Sequence, residues 1–424
     1  MILYFQVHQP RRLRNFSYFD IGSGDPYFDD DLNGDIVRRL ARECYIPSNT
    51  LIRRLIEKNP GIRISFSISG TALEQFEEFA PEVIASFQEL IKTGAVEILG
   101  ETYAHSLSGL WSSDEFESQV ADHREKVQSL FGVTPTVFRN TELIYNNDIG
   151  ERVKNLGFTG MLIEGVSQAL GSQSTWRIFH HPADRSFMLL PRSCGLSDDI
   201  GFRFERDSAK LTVDEYVSWM KGIEDIDPIV TIGLDYETFG EHKKRASGIF
   251  DFLEGLLVRL SGDEDFQMTT PSALVAGNWS APELSIPKTV SWADHEKDHT
   301  AWLGNSMQRE AFDLLMRFES DVKSLGDPAI LTVWRWLQTS DHLYYISTKR
   351  FADGEVHAYF SPYSSPYEAF INYMNVLSDF KILIKAKKDE NSSLSQAQVV
   401  SETERRQHSE PVWVEGIKEN YLPH

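Results

Sequence analysis

The sequence predicts an α/β chain, a barrel of β/α units followed by a C-terminal helical bundle. Three observations carry this. At least seven short β-type runs fall within the first 270 or so residues, and stretches with helical spacing separate them. Each run ends in a turn bearing polar residues. After residue 270 the texture changes and helical stretches dominate. Strands that alternate with helices make βα units and a parallel sheet, and closing that sheet is the economical arrangement for so many repeats.

The runs can be taken in order. "ILYFQV" leads into His8, Gln9 and Pro10. "GIRISFSIS" leads into Gly70 and Thr71, and "GAVEIL" into Gly100, Glu101 and then His105. "TPTVFRN" leads into Thr141 and Glu142, "GFTGMLI" into Glu164, "SFMLLP" into Arg192 and Ser193, and "DPIVTIGL" into Asp235. The intervening segments, such as "APEVIASFQELIKTG" and "SDEFESQVADHREKVQSLFG", space their apolar residues for helices. These units make residues 1–270 the expected barrel. Residues 271–388 are the expected bundle, built on "TAWLGNSMQREAFDLLMRFESDVKSLG", "PAILTVWRWLQTSDHLYYIS" and "SPYEAFINYMNVLSDFKILIKAKK". Residues 389–424 are polar and poor in apolar residues, which predicts a mobile tail.

Bulk properties narrow the partners. A formal net charge of -21 repels phosphate backbones and anionic membranes, so neither nucleic acid nor membrane is an expected partner. Neutral substrates meet no such barrier. The 2 cysteines, Cys44 and Cys194, make no disulfide framework and point to a reducing, cytoplasmic compartment. The start "MILYFQV" reads as a mature strand rather than a leader. No Walker-type loop, G-x-G-x-x-G or G-x-S-x-G motif occurs, so nucleotide transfer and serine hydrolysis lack support.

In barrels of this kind catalytic residues sit at the carboxyl ends of strands. His8, His105, Glu142 and Asp235 all fall at or just past such ends. Two carboxyl groups, one a nucleophile and one a proton donor, are the equipment for cleaving a glycosidic bond. Glu142 and Asp235 are the candidates, with Trp111, Tyr236 and Phe239 as possible walls. The competing reading pairs both carboxylates with Arg139 or Lys243 as ordinary ion pairs. His8 and His105 suit hydrogen bonding to a sugar hydroxyl or orienting a carboxylate, and serve equally as half-buried strand-end histidines. Glu237 and His242 are candidates for tuning the site. Trp302 enters only if the helical part closes over the cleft. A rival chemistry lies in "HEKDH", which matches H-E-x-x-H. On a helix His295 and His299 would share a face for zinc, with Glu296 as base. The stretch lacks the apolar face such a helix needs, and an exposed polar turn or helix start is favoured.

Taken together, "HQP" (8–10), "GAVEILGETYAHSL" (94–107), "FRNTELIYNN" (138–147), "LDYETFGEH" (234–242) and "LQTSDHLYY" (337–345) form a set. The chain resembles glycoside hydrolase family 57, an α-glucan-active group of α-amylases, 4-α-glucanotransferases and branching enzymes. The resemblance implies an incomplete, seven-stranded (β/α) barrel followed by a helical bundle. It implies Glu142 as nucleophile and Asp235 as general acid and base. His8 and His105 match substrate-site histidines, and Asp341 matches an acidic residue brought to the cleft by the helical part. Trp111, Arg139, Glu237, His242 and Trp302 complete the expected substrate contacts. The implied mechanism is retaining and uses no metal ion or cofactor. Phe138, Arg139, Asn140 and Leu143 around Glu142, and His-Ser-Leu after position 104, resemble the α-amylase-type subgroup. The expected activity is hydrolysis of α-1,4 linkages in starch, glycogen or maltodextrins. A 4-α-glucanotransferase and a non-catalytic glucan-binding protein are the alternatives.

Overall fold

A computed structural model describes residues 1–205, 209–225, 228–349, 359 and 361–407, with side chains as far as residue 393. Among the described residues eight strands form two four-stranded sheets, and all but one strand run parallel. The first sheet has the order β3 (Val96–Leu99), β2 (Ile64–Ile68), β1 (Ile2–Val7), β8 (Thr231–Asp235). The second has the order β4 (Val137–Arg139), β5 (Gly160–Glu164), β7 (Asp184–Arg192), β6 (Phe179–His181). Backbone hydrogen bonds bridge the sheets at both seams. Gly100 N donates to Val137 O (2.9 Å) and Arg139 N to Gly100 O (2.8 Å), joining β3 to β4. Ser193 N donates to Thr231 O (2.8 Å), joining the end of β7 to β8. The strand absent from the sequence reading is β6. Its three residues "FHH" carry no β-type run, and it pairs antiparallel as an edge on β7.

The parallel strands are buried on both faces, as their continuous apolar runs require. Strand β1 shows the two faces by alternation. Leu3, Phe5 and Val7 pack outward with the helices that flank the first sheet. Ile2 and Tyr4 turn inward with Leu99, Val137, Leu162 and Leu190, which come from both sheets. Tyr4 fits there because position 233 has no side chain; a Cβ on Gly233 would lie 2.2 Å from the Tyr4 ring.

Beyond residue 299 the described residues are mainly helical. The first expected long helix is three pieces, Thr300–Leu303, Ser306–Arg317 and Glu319–Leu325. Asn305 breaks the first junction by capping the second piece, with its side chain accepting from Gln308 N. The second expected helix is likewise split, into Pro328–Leu337 and Ser340–Tyr344. The last helix, Pro366–Gln407, runs across the expected boundary at 389; the rest of the expected tail, 408–424, lies outside the described residues. This helical part shares one apolar core with the second sheet, in which Phe312, Leu315 and Trp334 join Phe116, Phe138 and Tyr145. The long insert after His8 is pinned to the last helix. Tyr27 donates its hydroxyl to Asp379 (2.6 Å), and Phe16 N donates to Asn372 Oδ1 (2.6 Å). Tyr27 and Phe28 are thereby packed, whereas Tyr18 and Phe19 remain 74% and 91% exposed.

Candidate active site

Parallel strands bring all their carboxyl ends to one side, and this side collects the polar residues. His8 follows β1, Ser69 follows β2, Glu101 and His105 follow β3, Glu142 follows β4, and Asp235 ends β8. The backbone there is unusual. The described non-glycine residues with positive φ are His105 (51°), Glu142 (55°), Leu143 (52°), Asp294 (56°) and Lys297 (53°). Left-handed conformations at residues with a Cβ are strained, and such strain clusters at functional sites. Three of the five lie at these strand ends, and the other two lie in the loop 288–299 that packs against Glu142.

His105 is the hub. Its Nε2 lies 3.0 Å from Glu142 Oε1, and its Nδ1 lies 3.4 Å from Glu101 Oε1. Both partners are carboxylates, so both nitrogens serve as donors and the ring is an imidazolium. Burial opposes that charge, but the hydrogen bonds to Glu101 and Glu142 outweigh it and hold the pKa up at about 9. The same contacts act on the carboxylates. Burial alone would raise Glu101, yet His105 and the neighbouring cations bring it down to about 2. Burial likewise works to raise Glu142, and the hydrogen bond and charge of His105 reverse it, so this carboxyl sits below its ordinary value. Its second oxygen, Oε2, accepts from Trp292 Nε1 at 2.5 Å.

His8 stacks on His105 with ring centroids 4.0 Å apart and an interplanar angle of 20°. Two adjacent imidazolium rings would repel. Burial and the His105 charge hold the His8 pKa below its usual value despite Asp341 beside it. A neutral His8 donates through Nε2 to Asp341 Oδ2 (3.0 Å), and its Nδ1 accepts from the Ser69 hydroxyl (2.7 Å). The Asp341 carboxyl is buried, which works to raise its pKa, but the adjoining histidines pull it well below the usual carboxylate range. Asp341 belongs to the helix Ser340–Tyr344, so this contact ties the helical part to the strand ends.

Asp235 behaves oppositely to Glu142. Burial and the negative charge of Glu142 push its pKa up to about 6, against the pull of Arg139 and Arg192. Two carboxyl groups at strand ends on one side thus differ in their hold on a proton, Glu142 below and Asp235 above an ordinary carboxyl. That division is what acid-plus-nucleophile chemistry needs. Glu237 lies two residues on in the chain, 5% exposed, and accepts from Tyr45 (2.5 Å) and Gln9 (3.3 Å). Burial and the charge of Asp235 raise it to about 8.

Other expected residues fall differently. Lys243 pairs with Glu205 (3.6 Å) and Glu142 with His105, so the simple pairing of the two carboxylates with Arg139 or Lys243 does not form. Trp302 is 1% exposed in the helical core beside Tyr344, so it is a packing residue and not a cleft residue. Tyr236 and Phe239 are also core residues, at 0% and 1%; the Tyr236 hydroxyl donates to Asn49 Oδ1 (2.6 Å). Trp111 is 45% exposed and meets Phe312 edge-on at 5.8 Å. The ring of His242 faces Tyr359 at 5.7 Å. "HEKDH" is not a helix: residues 295–299 form turns, and His299 only leads into the short helix Thr300–Leu303. His295 and His299 therefore lack the shared helical face that the zinc pattern needs. Among the described residues no group of three or more His, Cys, Asp or Glu is placed to hold a metal ion. Sequence reasoning passed over Glu101, Ser69 and Trp292. Glu101 was visible as a strand-end acid; Trp292, inside a turn-rich connector, gave no local signal.

The model for glycosyl hydrolase family 57 matches residues 2–286. The chain belongs to this family. Membership makes it a glycosidase or glycosyl-transfer enzyme. A protein of Methanocaldococcus jannaschii described as "Putative alpha-amylase" is 38% identical over 396 residues, covering 90% of this chain and 84% of that protein. Among solved structures, the family 57 branching enzyme of Thermococcus kodakaraensis is similar with a TM-score of 0.63 at 14% identity, covering 88% of each chain. The 4-alpha-glucanotransferase of Thermococcus litoralis is similar with a TM-score of 0.57 at 16% identity; 84% of this chain matches, but only 54% of that one. At these identities the structural likeness speaks for the fold alone.

Proposed function

We propose that the protein is a retaining α-glucan hydrolase acting on α-1,4 linkages in starch, glycogen or maltodextrins. The observation that carries this reading is the pairing at the strand ends. Glu142 is ionised and held by two N–H donors, and Asp235 retains its proton toward neutrality. Glu142 attacks the anomeric carbon while Asp235 protonates the leaving oxygen. Asp235 then takes a proton from water, which releases the sugar from Glu142 with net retention. His105 keeps Glu142 charged, and Glu101 keeps His105 charged. His8, oriented by Asp341 and Ser69, completes the substrate side of the cleft, which the fully buried Arg139, expected among the substrate contacts, does not reach. The seven parallel strands act as one incomplete barrel, supported by the hydrogen bonds at both seams, with the helical part as the bundle that completes the cleft. A cytoplasmic setting is supported by two free cysteines, Cys44 buried and Cys194 half-buried. Among the described residues no helix is long and apolar enough to cross a membrane.

The test is to incubate the wild type, Glu142→Gln and Asp235→Asn with soluble starch and maltoheptaose, following reducing ends and the anomer first released. Both variants should lose activity by several orders of magnitude, and the wild type should release the α-anomer. Full activity in both variants overturns the mechanism. Products longer than maltoheptaose at the expense of glucose and maltose would assign the 4-α-glucanotransferase alternative on the same residues. Binding without turnover would leave a glucan-binding protein.

A further inference from the structure

Arg139 lies in β4, three residues before Glu142, and is fully buried at 0% exposure. Among the described residues none of its Nε, Nη1 and Nη2 atoms has a hydrogen-bond partner. A buried guanidinium with unpaired donors is unfavourable to folding. Arg192, its neighbour from β7, has the usual compensation: it donates to Gly233 O (2.9 Å), Glu164 (3.2 Å) and Asp198 (2.7 Å). What Arg139 does contact is an aromatic face. Its Cζ lies 4.6 Å from the ring centroid of Trp292, and the Cζ of Arg192 lies 5.5 Å from the same ring. Tryptophan is the best aromatic partner for a cation, more so away from water.

Trp292 stands on an irregular loop, not on a helix or strand. Its backbone N donates to Glu142 O (3.2 Å), and Lys297 Nζ donates to its carbonyl (2.7 Å). Nearby, Tyr145 and Val290 exchange two backbone hydrogen bonds of 3.0 and 2.9 Å. These bonds fix the position of the loop but leave the indole angle to its ring contacts. That angle sets the 2.5 Å bond from Nε1 to Glu142 Oε2. With His105 on Oε1, one donor then sits on each carboxylate oxygen, which fixes the plane of the group.

We propose that Arg139 is a positioning residue that acts through Trp292: the buried guanidinium holds the indole so that its N–H fixes the second oxygen of Glu142. This rests on Glu142 being the nucleophile. It accounts for a buried guanidinium that lacks hydrogen-bond partners and lies on the face of Trp292.

The test uses the full chain with α-maltosyl fluoride, whose leaving group needs no proton, so that fluoride release reports attack by Glu142. Trp292→Phe keeps a ring for Arg139 but removes the N–H. Its melting temperature and KM should stay near wild type while kcat falls by roughly tenfold to a hundredfold, the weight of a hydrogen bond to a charged group. The acid limb of kcat/KM should move to higher pH, because the ionised carboxyl has lost a donor. The charges that act on Glu142 remain in place in this variant: His105 after β3, Arg139 on β4 and Asp235 on β8. Arg139→Met should move kcat in the same direction, with a melting temperature equal to or above wild type; its acid limb should move further, because the Arg139 charge on Glu142 is lost as well, so the combination is judged on kcat. Combined with Trp292→Phe it should add little. Fully additive losses, or wild-type kcat and acid limb in Trp292→Phe, overturn the proposal. If Arg139→Met does not fold, Arg139→Lys, which keeps charge but loses the planar stack, replaces it and should show the same non-additivity. Glu142→Gln distinguishes the two failures. An active Glu142→Gln overturns the proposed nucleophile, whereas an inactive one beside a wild-type-like Trp292→Phe overturns only the role of Arg139.

Discussion

At the scale of single residues, the chemistry depends on carboxyl groups held apart in protonation. In the proposed mechanism Asp235 carries a proton as the acid, and its pKa is raised to about 6 by burial and by Glu142. The activity on maltoheptaose should therefore decline as pH rises through about 6, and kcat/KM measured across pH should show that alkaline limb. Replacing Glu142 by Gln would remove the charge that helps raise Asp235, so nuclear magnetic resonance titration of Asp235 in that variant should show a lower pKa. An unmoved value would separate the two carboxyls electrostatically. Glu237 offers a test by stability. Its folded pKa, about 8, is raised above the ordinary 4.5 first by burial and then by Asp235. Its contribution is fully present below about pH 4.5 and is lost as pH rises through 8. Glu237→Gln cannot ionise, keeps the acceptor for Tyr45, and should gain roughly 3–4 kcal/mol over wild type at pH 8 relative to pH 5. Denaturant unfolding at the two pH values checks this; equal differences at both would sink it.

At the scale of elements, strand ends were legible and loop neighbours were not. "TPTVFRN" followed by Thr141 and Glu142, and "DPIVTIGL" followed by Asp235, carry their own punctuation, and parallel pairing then brings them to one side. His105 and Asp341 meet Glu142 and His8 only through long-range packing; its place after a strand already marked His105, whereas only the family resemblance marked Asp341. Trp292 had no such mark: a tryptophan in "KTVSWADHEKDH" becomes a partner of Glu142 only once Tyr145 and Val290 pair. Trp302 went the other way. Residue type made it a sugar-stacking candidate, and helical packing buried it. Trp302→Ala should therefore lower stability by about 3–5 kcal/mol, the range for an emptied aromatic core site. A thermal unfolding curve reads this directly; a raised KM with unchanged stability would return Trp302 to the cleft. The strand interior has its own constraint in Gly233, where any Cβ collides with the Tyr4 ring.

At the scale of the whole molecule, the helical part is not an appendage. One apolar core contains Phe138 and Tyr145 near β4, Phe116 from the helix Ser113–Phe131, and Phe312, Trp334 and Tyr373 from beyond residue 299. Polar contacts cross the same boundary. Arg335 donates to Glu115 (3.1 Å) and Ser118 (2.8 Å), Gln119 donates to Gln338 (3.0 Å), and Asp341 orients His8. The boundary expected at residue 270 from the change in texture therefore divides secondary structure without dividing the core. A chain ending at residue 299 would keep every strand, His105, Glu142, Asp235 and Trp292. It would also expose Phe116 and Tyr145 to water, leave Glu115 buried without its cation, and strip His8 of Asp341. Exposed apolar area of that extent drives association. The truncated chain should elute as aggregates in size-exclusion chromatography, bind a hydrophobic dye and lack a cooperative melt. A monomeric truncate with a sharp transition would make residues 1–299 an independent unit, and its residual hydrolysis would then measure what Asp341 contributes through His8.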